Sequence, residues 1–391
     1  MNENVKYHVD SGVLYVCLIG RLDANNAPEV EKVINEAKTA NPELPVVVDA
    51  EKLEYISSAG LRVLLRLRKE KEDLAVINTS TEVYEIFDMT GFAEMMTVKK
   101  AYRHLSVDGC KLLGKGANGA VYRYDDETIV KVYFNPDALP DIQRERELAR
   151  KALVLGINTA IPYDIVRVGD SYGTVMELLS AITLTDMLKK DSENMEAPLK
   201  YYVDMLTQIH DTEVKTDDMP NEKGIVLGWA EFDKDHLPKE LGDKLYSMVE
   251  AVPERRTMMH GDYHTNNVMI REGEALLIDM DTLCWGHPIF ELGSMFNAFV
   301  GFGEVDPNVT MNFLGVTPEV AKKFWRKALA MYLGTEDEAR LNEVEDKAKV
   351  VGYTRLLRRT IRRNEPNREE LIAYYKEKLY DLIPRINELT F

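Results

Sequence analysis

The chain has 391 residues but only three cysteines, Cys17, Cys110 and Cys284, far apart in sequence. With no metal-type spacing among them, neither a disulfide framework nor a zinc knuckle underlies the fold. Each thiol is expected as a small buried apolar residue in a reducing compartment. Long apolar runs are also missing: the stretches such as 13–19 fall well short of the roughly 20 residues that cross a bilayer. The opening MNENVKYHVD has no basic stretch leading into an apolar core, so no secretory signal is expected and the cytoplasm is the expected location. Positive charge is in deficit, with 49 Lys and Arg against 66 Asp and Glu and a net charge of −17. That argues against a general nucleic-acid binder, which needs a basic face to displace counterions.

What is present is globular. Hydrophobic residues make up 45% and charged residues 29%, the balance of ordinary buried cores, and the length suits two or three domains. The first hundred residues alternate strand and helix patterns. Strands are expected at 5–9, 13–19, 45–49, 74–78 and 96–98, with helices from Pro28, from near Ser58 and over 82–89. Such alternation means a small α/β domain with a partly parallel sheet. At its centre the run Tyr-Ile-Ser-Ser-Ala-Gly-Leu, 55–61, hands a strand over to a helix. Ser57 or Ser58 is a natural N-cap there, and capping alone is the plain reading.

The element order, this junction and the Gly-Arg-Leu-Asp run at 20–23 resemble STAS domains of the anti-sigma-factor antagonist type, over almost all of residues 1–100. Those domains carry a phosphorylatable serine in an Asp-Ser-Ser/Thr-Gly-Leu run. The resemblance puts Ser58 at the phosphoserine, Ser57 in place of the Asp and Ala59 at the second Ser/Thr position. It implies an anti-sigma-factor-like or other protein partner. A phosphate on Ser58 would lie at a helix N-terminus, where free N–H groups favour an anion, and would add roughly two negative charges to a docking surface.

After a polar linker, Gly114, Gly116 and Gly119 form GxGxxGxV, followed by a hairpin and by Lys131 inside the apolar run Thr-Ile-Val-Lys-Val-Tyr. A Rossmann turn would need a helix after the third glycine. A hairpin and a strand lysine instead match a kinase flap, with Lys131 reaching nucleotide phosphates. A lysine in an apolar strand needs an acid, and Glu145, with Glu147 as runner-up, lies on the next helix. The strand ending at Glu177–Leu179 is placed where kinases join their lobes and offer backbone groups to adenine.

Further on, the run MMHGDYHTNNVMI sets Asp262 five residues before Asn267, and Asp279 closes the apolar run ALLIDMD. Carboxylate, amide and carboxylate on turns at strand ends suit phosphoryl transfer from a metal–nucleotide: one acid takes the acceptor's proton, the others hold Mg²⁺. These residues resemble the loop of aminoglycoside phosphotransferases and related kinase-like enzymes, HGDxxxxN followed by IDF or IDW. The resemblance implies Asp262 as catalytic base, Asn267 and Asp279 as metal ligands, and ATP and Mg²⁺ as cofactors. His210, His260 and His264 are read as packing or carbonyl-holding residues, with no third ligand for zinc, and Asp281 as a cap of its turn. Gly261 stands where protein kinases carry Arg, no Ala-Pro-Glu follows, and only residues 280–287 separate Asp279 from Pro288. A small hydroxylated or amino acceptor is therefore expected rather than a peptide. The arginine run 355–363 reads as a solvated amphipathic helix, with a clamp for an anionic acceptor or acidic partner as the alternative.

The expected architecture is an α/β STAS domain over 1–102, followed by an α+β bilobal protein-kinase-like fold. Its N-lobe spans 107–180 and its largely helical C-lobe 181–391. The expected function is ATP- and Mg²⁺-dependent transfer to a small acceptor under a STAS regulatory domain, with no nucleic-acid or membrane partner. The alternatives are a signalling switch in which the kinase lobe phosphorylates Ser58 of a STAS domain, and a non-catalytic nucleotide-sensing module.

Overall fold

A computed structural model describes residues 3–116, 118–215, 217, 219–363 and 367–391. The chain divides into two compact units, Met1–Ser106 and Val107–Phe391.

The first unit contains β1 (Val5–Asp10), β2 (Val13–Leu22), α1 (Ala27–Ala40), β3 (Val46–Ile56), α2 (Ser58–Glu70), β4 (Ala75–Thr79), α3 (Thr81–Met89), the single turn α4 (Phe92–Met95) and β5 (Thr97–Lys100). Its sheet runs in the order β1-β2-β3-β4-β5, with β1 antiparallel to β2 and the remaining pairs parallel. Alternate residues of β2 and β3 (Leu14, Val16, Leu18, Val46, Val48) are buried with Val30 and Ile34 of α1 and Leu61 and Leu64 of α2, which is the period-2 against period-3.6 match that builds an α/β layer. Strand β3 outruns the sequence expectation, which ended it at Asp49. Beyond that point it keeps pairing with β2 through two register shifts, down to Leu22↔Ile56. Glu51, Lys52 and Glu54 in that extension are exposed, so the stretch lacks the apolar signature of a buried strand. Cys17 and Cys110 are half-buried and only Cys284 is fully buried, which corrects the expectation for the first two: Cys17 sits on β2, on the face opposite Val16 and Leu18.

The second unit begins with β6 (Lys111–Lys115), β7 (Gly119–Arg123), β8 (Thr128–Tyr133), α5 (Leu139–Val154), β9 (Pro162–Val168) and β10 (Ser171–Glu177). These strands form an antiparallel sheet, β6-β7-β8-β10-β9. Then follow β11 (Ile182–Thr183), α6 (Leu184–Lys190), α7 (Glu196–Asp211), α8 (Glu222–Lys234), α9 (Lys239–Ala251), β12 (Thr257–Met259), β13 (Val268–Arg271), β14 (Glu274–Leu277) and, after a 3₁₀ turn at Met280–Thr282, β15 (Cys284–Gly286). The remainder is helical: α10 (Pro288–Phe299), α11 (Pro307–Leu314), α12 (Pro318–Leu333), α13 (Glu338–Arg362) and α14 (Arg368–Arg385).

Helix α10 is the centre of this unit, for every one of its residues is buried. A helix apolar on all sides belongs inside a core, and its few polar groups must then find partners. Asn297 Nδ2 donates to the Gly352 carbonyl at 3.0 Å; Glu291 and Ser294 are directed at the loop after β12, as described below. No described helix is long and apolar enough to cross a membrane.

Candidate active site

The sheet of the second unit places Lys131 in the middle of β8, half-buried between its neighbours β7 and β10. Its Nζ donates to Glu145 Oε1 at 2.8 Å and to Asp279 Oδ1 at 2.7 Å. Burial pulls the ammonium's pKa down, but the Glu145 and Asp279 carboxylates outweigh it and hold it above the ordinary lysine value. Glu145 is fixed from its other oxygen by the Tyr133 hydroxyl at 2.7 Å. Burial and then the Glu145 charge push the Tyr133 hydroxyl's pKa up, keeping it a donor. Glu147 points outward, its side chain 55% exposed and 4.0 Å from Lys151. Of the two acids the sequence offered, the structure brings Glu145 to the lysine.

The glycines lead from β6 into β7. Gly116 N–H donates to the Gly119 carbonyl at 2.9 Å. A Cβ on Gly119 would lie 2.4 Å from the Val132 carbonyl oxygen, so the β7–β8 pairing itself excludes a side chain there. A Cβ on Gly114 or Gly116 would meet nothing within 4 Å, so their faces are open. At the far end of β10, Glu177 N–H donates to Ile161 O at 3.1 Å and Leu178 N–H to Glu127 O at 2.7 Å. The Leu179 N–H has no hydrogen-bond partner among the described residues. The Glu177 side chain accepts from Arg271 at 2.6 Å.

The loop between β12 and β13 carries Asp262 and Asn267. Gly261 turns the chain at φ +80°, and a Cβ there would lie 2.5 Å from the Thr282 carbonyl oxygen. Helix α10 holds this turn by its backbone: Glu291 accepts from His260 N–H at 2.6 Å and Gly261 N–H at 3.0 Å, and Ser294 Oγ donates to the Gly261 carbonyl at 2.9 Å. Burial raises the Glu291 pKa to about 8, against the pull of the His260 N–H. Helix α7 adds a reciprocal pair, Tyr202 hydroxyl to Tyr263 carbonyl at 3.1 Å and Tyr263 hydroxyl to Tyr202 carbonyl at 2.6 Å.

Asp262 itself is 37% exposed, with Oδ2 3.4 Å from His264 Nε2. Burial alone would raise its pKa, but the hydrogen bond and charge of His264 lower it to about 2, so it is a carboxylate at neutral pH. Asn267 Nδ2 donates to the Asp262 carbonyl at 3.0 Å. That fixes the amide and leaves Oδ1 without a partner among the described residues. The Ile278 N–H donates to the Asn267 carbonyl at 3.0 Å, tying this loop to the strand end that carries Asp279. Asp279 adopts φ 62° and its side chain is 46% exposed.

Two expectations are corrected. Asp281 makes no capping hydrogen bond among the described residues; burial and then the Asp279 and Glu145 charges push its pKa up to about 7. His264 Nε2 faces the Asp262 carboxylate rather than a backbone carbonyl, with Asn267 Nδ2 3.3 Å away, whereas His260 Nε2 does meet the Ile278 carbonyl at 3.0 Å. Glu145 and Asp279 thus bond one lysine, and Asp281 feels the charges of both and, more weakly, of Asp262; carboxylate oxygens of this kind are what a hard divalent cation takes. No group of three or more His, Cys, Asp or Glu among the described residues could hold a metal alone. A cation here would be held by Asp279 and Asn267 Oδ1 and complete its shell with phosphate and water, as Mg²⁺ does.

Sequence reasoning missed Glu291 and Tyr133, and named Arg355 only within the arginine run. The signal for Glu291 was an acid inside an otherwise apolar helix run, and for Tyr133 its place two residues from Lys131 on one strand face. Ser58 lies in the first unit as the first residue of α2, exposed. Ser57 is the N-cap, its Oγ accepting the Ala59 N–H at 3.2 Å.

The signature of a phosphotransferase enzyme family matches residues 109–328, and that of the STAS domain matches residues 4–105. Over 91 residues, 22% of this chain and 78% of the other, the sequence is 36% identical to a protein named as a putative anti-sigma factor antagonist, BtrV, of Bordetella bronchiseptica. Over 102 residues, 25% of this chain and 87% of the other, it is 26% identical to an anti-sigma F factor antagonist of Paenibacillus polymyxa. Among solved structures, the aminoglycoside phosphotransferase APH(4)-Ia superposes with a TM-score of 0.50 at 13% identity, covering 70% of this chain and 93% of that one. A thermostable mutant of it, in ternary complex with ADP and hygromycin B, gives 0.50 at 12% with the same coverage. At these identities the likeness is one of fold.

Proposed function

The chain belongs to the phosphotransferase enzyme family, with a STAS domain at its N-terminus, and we propose that it moves the γ-phosphate of ATP to a small hydroxylated or amino acceptor. The observation that carries this reading is Lys131 bridging Glu145 and Asp279 while Asn267 is bonded to the backbone of Asp262 on the linked loop. Bound Mg²⁺ would screen the phosphate charge and polarise the transferring group. Asp279 and Asn267 would hold it, and Lys131 would neutralise phosphate oxygens, kept in place by Glu145 and Tyr133. The open faces of Gly114 and Gly116 admit phosphates against the backbone, and Glu177 and Leu179 offer main-chain groups to adenine.

Asp262, ionised at neutral pH, orients the acceptor hydroxyl and takes its proton. As it does so the hydroxyl oxygen forms its bond to the γ-phosphorus and the bond from that phosphorus to the bridging oxygen of ADP breaks. With a pKa of about 2, Asp262 is a weak base, so its contribution is mainly positioning, with proton transfer late. We further assign residues 1–102 to the STAS domain, 107–180 to an N-lobe and 181–391 to a C-lobe, and place the protein in the cytoplasm, which suits its free thiols. Asp262→Asn should lower transfer by about 10²–10⁴-fold with nucleotide binding retained, whereas Asp279→Asn should weaken metal-dependent nucleotide binding. Turnover near the wild-type rate in Asp262→Asn would contradict the assignment.

A second reading is favoured by the exposure of Ser58 at the start of α2: the kinase lobe phosphorylates this serine on its own or another STAS domain. Incubation with labelled ATP that leaves Ser58 clean would sink it.

A further inference from the structure

Helix α13 runs past the loop of Asp262 and carries Arg355, Arg358, Arg359 and Arg362 on one face, at helical spacing. Arg355 anchors this face to the candidate site. Its Nη1 donates to Ser294 Oγ at 2.8 Å and to the Gly261 carbonyl at 3.4 Å, and its charge helps to lower the Asp262 pKa. Of the five N–H donors a guanidinium offers, those on Nε and Nη2 have no partner among the described residues. Its Cζ lies 5.6 Å from the centre of the Trp229 ring.

One turn further, the next arginines lie against aromatic rings on two sides. Arg358 is 6.0 Å from the Phe232 ring on α8, and Arg359 is 5.0 Å from the Phe302 ring. Phe302 packs edge-on against Phe313 at 5.8 Å, and Phe313 against His264 at 4.8 Å, the histidine that holds Asp262. On the Arg359 side the arginine face is therefore continuous, through these rings, with the proposed base.

Neither Arg355 nor Arg358 forms an ion pair among the described residues. The carboxylate whose charge Arg358 feels is Asp233 of α8, 0% exposed and without a hydrogen-bond partner. Burial raises its pKa to about 8, so near neutral pH it offsets little of the guanidinium charge. Guanidinium groups resting on aromatic faces, with N–H donors left over, are suited to take a carboxylate or phosphate. A polycationic acceptor would meet like charge on this face.

We propose that the acceptor is a small hydroxylated anion, carrying a carboxylate or a phosphate, which Arg355 and Arg358 hold beside Asp262. This rests on the phosphotransferase reading and adds the charge class of its acceptor. It sets the chain apart from proteins of this fold that take up cationic antibiotics.

The test uses the full-length protein with Mg²⁺ and a non-hydrolysable ATP analogue, followed by thermal unfolding. Glycerol 3-phosphate, D-glycerate, neutral glycerol and kanamycin are titrated in turn. One or both anions should raise the midpoint, and which does so distinguishes phosphate from carboxylate; glycerol and kanamycin should not. Arg358→Met should weaken the anion effect by about tenfold or more, and Arg358→Lys should recover part of it. The shift caused by the ATP analogue reports that each variant is folded. Stabilisation by kanamycin but by neither anion, or an anion effect unchanged in Arg358→Met, would overturn the proposal. So would no anion effect where the ATP analogue still shifts the midpoint, and in that case the phosphotransferase reading survives. If the analogue itself gives no shift in the wild-type protein, both fall.

Discussion

Glu291 shows how single residues decide this site. It is buried in α10 and accepts two N–H groups from the turn that presents Asp262. Glu291→Ala would strand both donors, at about 1–3 kcal/mol each, and let the turn move. A displacement of about 1 Å at a reacting group can cost on the order of 10²-fold. We expect a lower unfolding midpoint and a large fall in turnover, with nucleotide affinity less affected; calorimetry and kinetics on the variant check this. The glycines divide in the same manner. Gly119→Ala places a methyl against the Val132 carbonyl and should destabilise the protein by about 1–3 kcal/mol. Gly116→Ala meets open space, so it should leave the unfolding midpoint unchanged while weakening nucleotide binding. Equal melting losses for the two would contradict the account. The grouping of Lys131 with Glu145 and Asp279, and of Asn267 with Asp262, was legible in the sequence because the proposed phosphoryl transfer would need those side chains at fixed offsets from glycines and strand ends. Glu291 and Arg355 act from helices remote in sequence and serve the loop's backbone, so no local spacing records them.

At the level of elements, α8, α13 and α14 carry Asp233, Arg358 and Lys376, whose charges interact. Asp233 is fully buried with both oxygens unbonded, and burial raises its pKa to about 8. A carboxyl whose folded pKa is raised holds its proton longer in the folded state. Its contribution to stability is therefore greatest below the unfolded value of about 3.9 and is lost as pH rises through the folded one. Wild-type stability should fall between about pH 4 and 8 by more than that of Asp233→Asn, the difference being on the order of a few kcal/mol. Parallel pH curves for the two proteins would show that Asp233 ionises normally. The helix–strand order of the first unit was legible because its layers follow the two simple periodicities. The tail of β3 was not, since its charged residues pair through register shifts that leave no apolar pattern. The arginine run of α13 reads in the sequence as a solvated face or an anion clamp, and only the packing sets Arg355 against Gly261 and Trp229.

On the scale of the whole molecule, one chain joins a STAS domain to a phosphotransferase domain, each a compact unit. Exposed Ser58 in the first and the Lys131–Asp279 site in the second make the destination of the phosphate the central question. The most direct measurement is transfer from ATP·Mg²⁺ by the full-length protein, with Asp262→Asn as control. It should be run alone and with amino-alcohol, sugar, aminoglycoside and hydroxy-acid acceptors, and any label mapped by mass spectrometry. Transfer to a small acceptor is expected, lowered by about 10²–10⁴-fold in Asp262→Asn, with nucleotide binding intact in both proteins. Nucleotide binding without transfer to any acceptor or to Ser58, or transfer near the wild-type rate in Asp262→Asn, would contradict this reading.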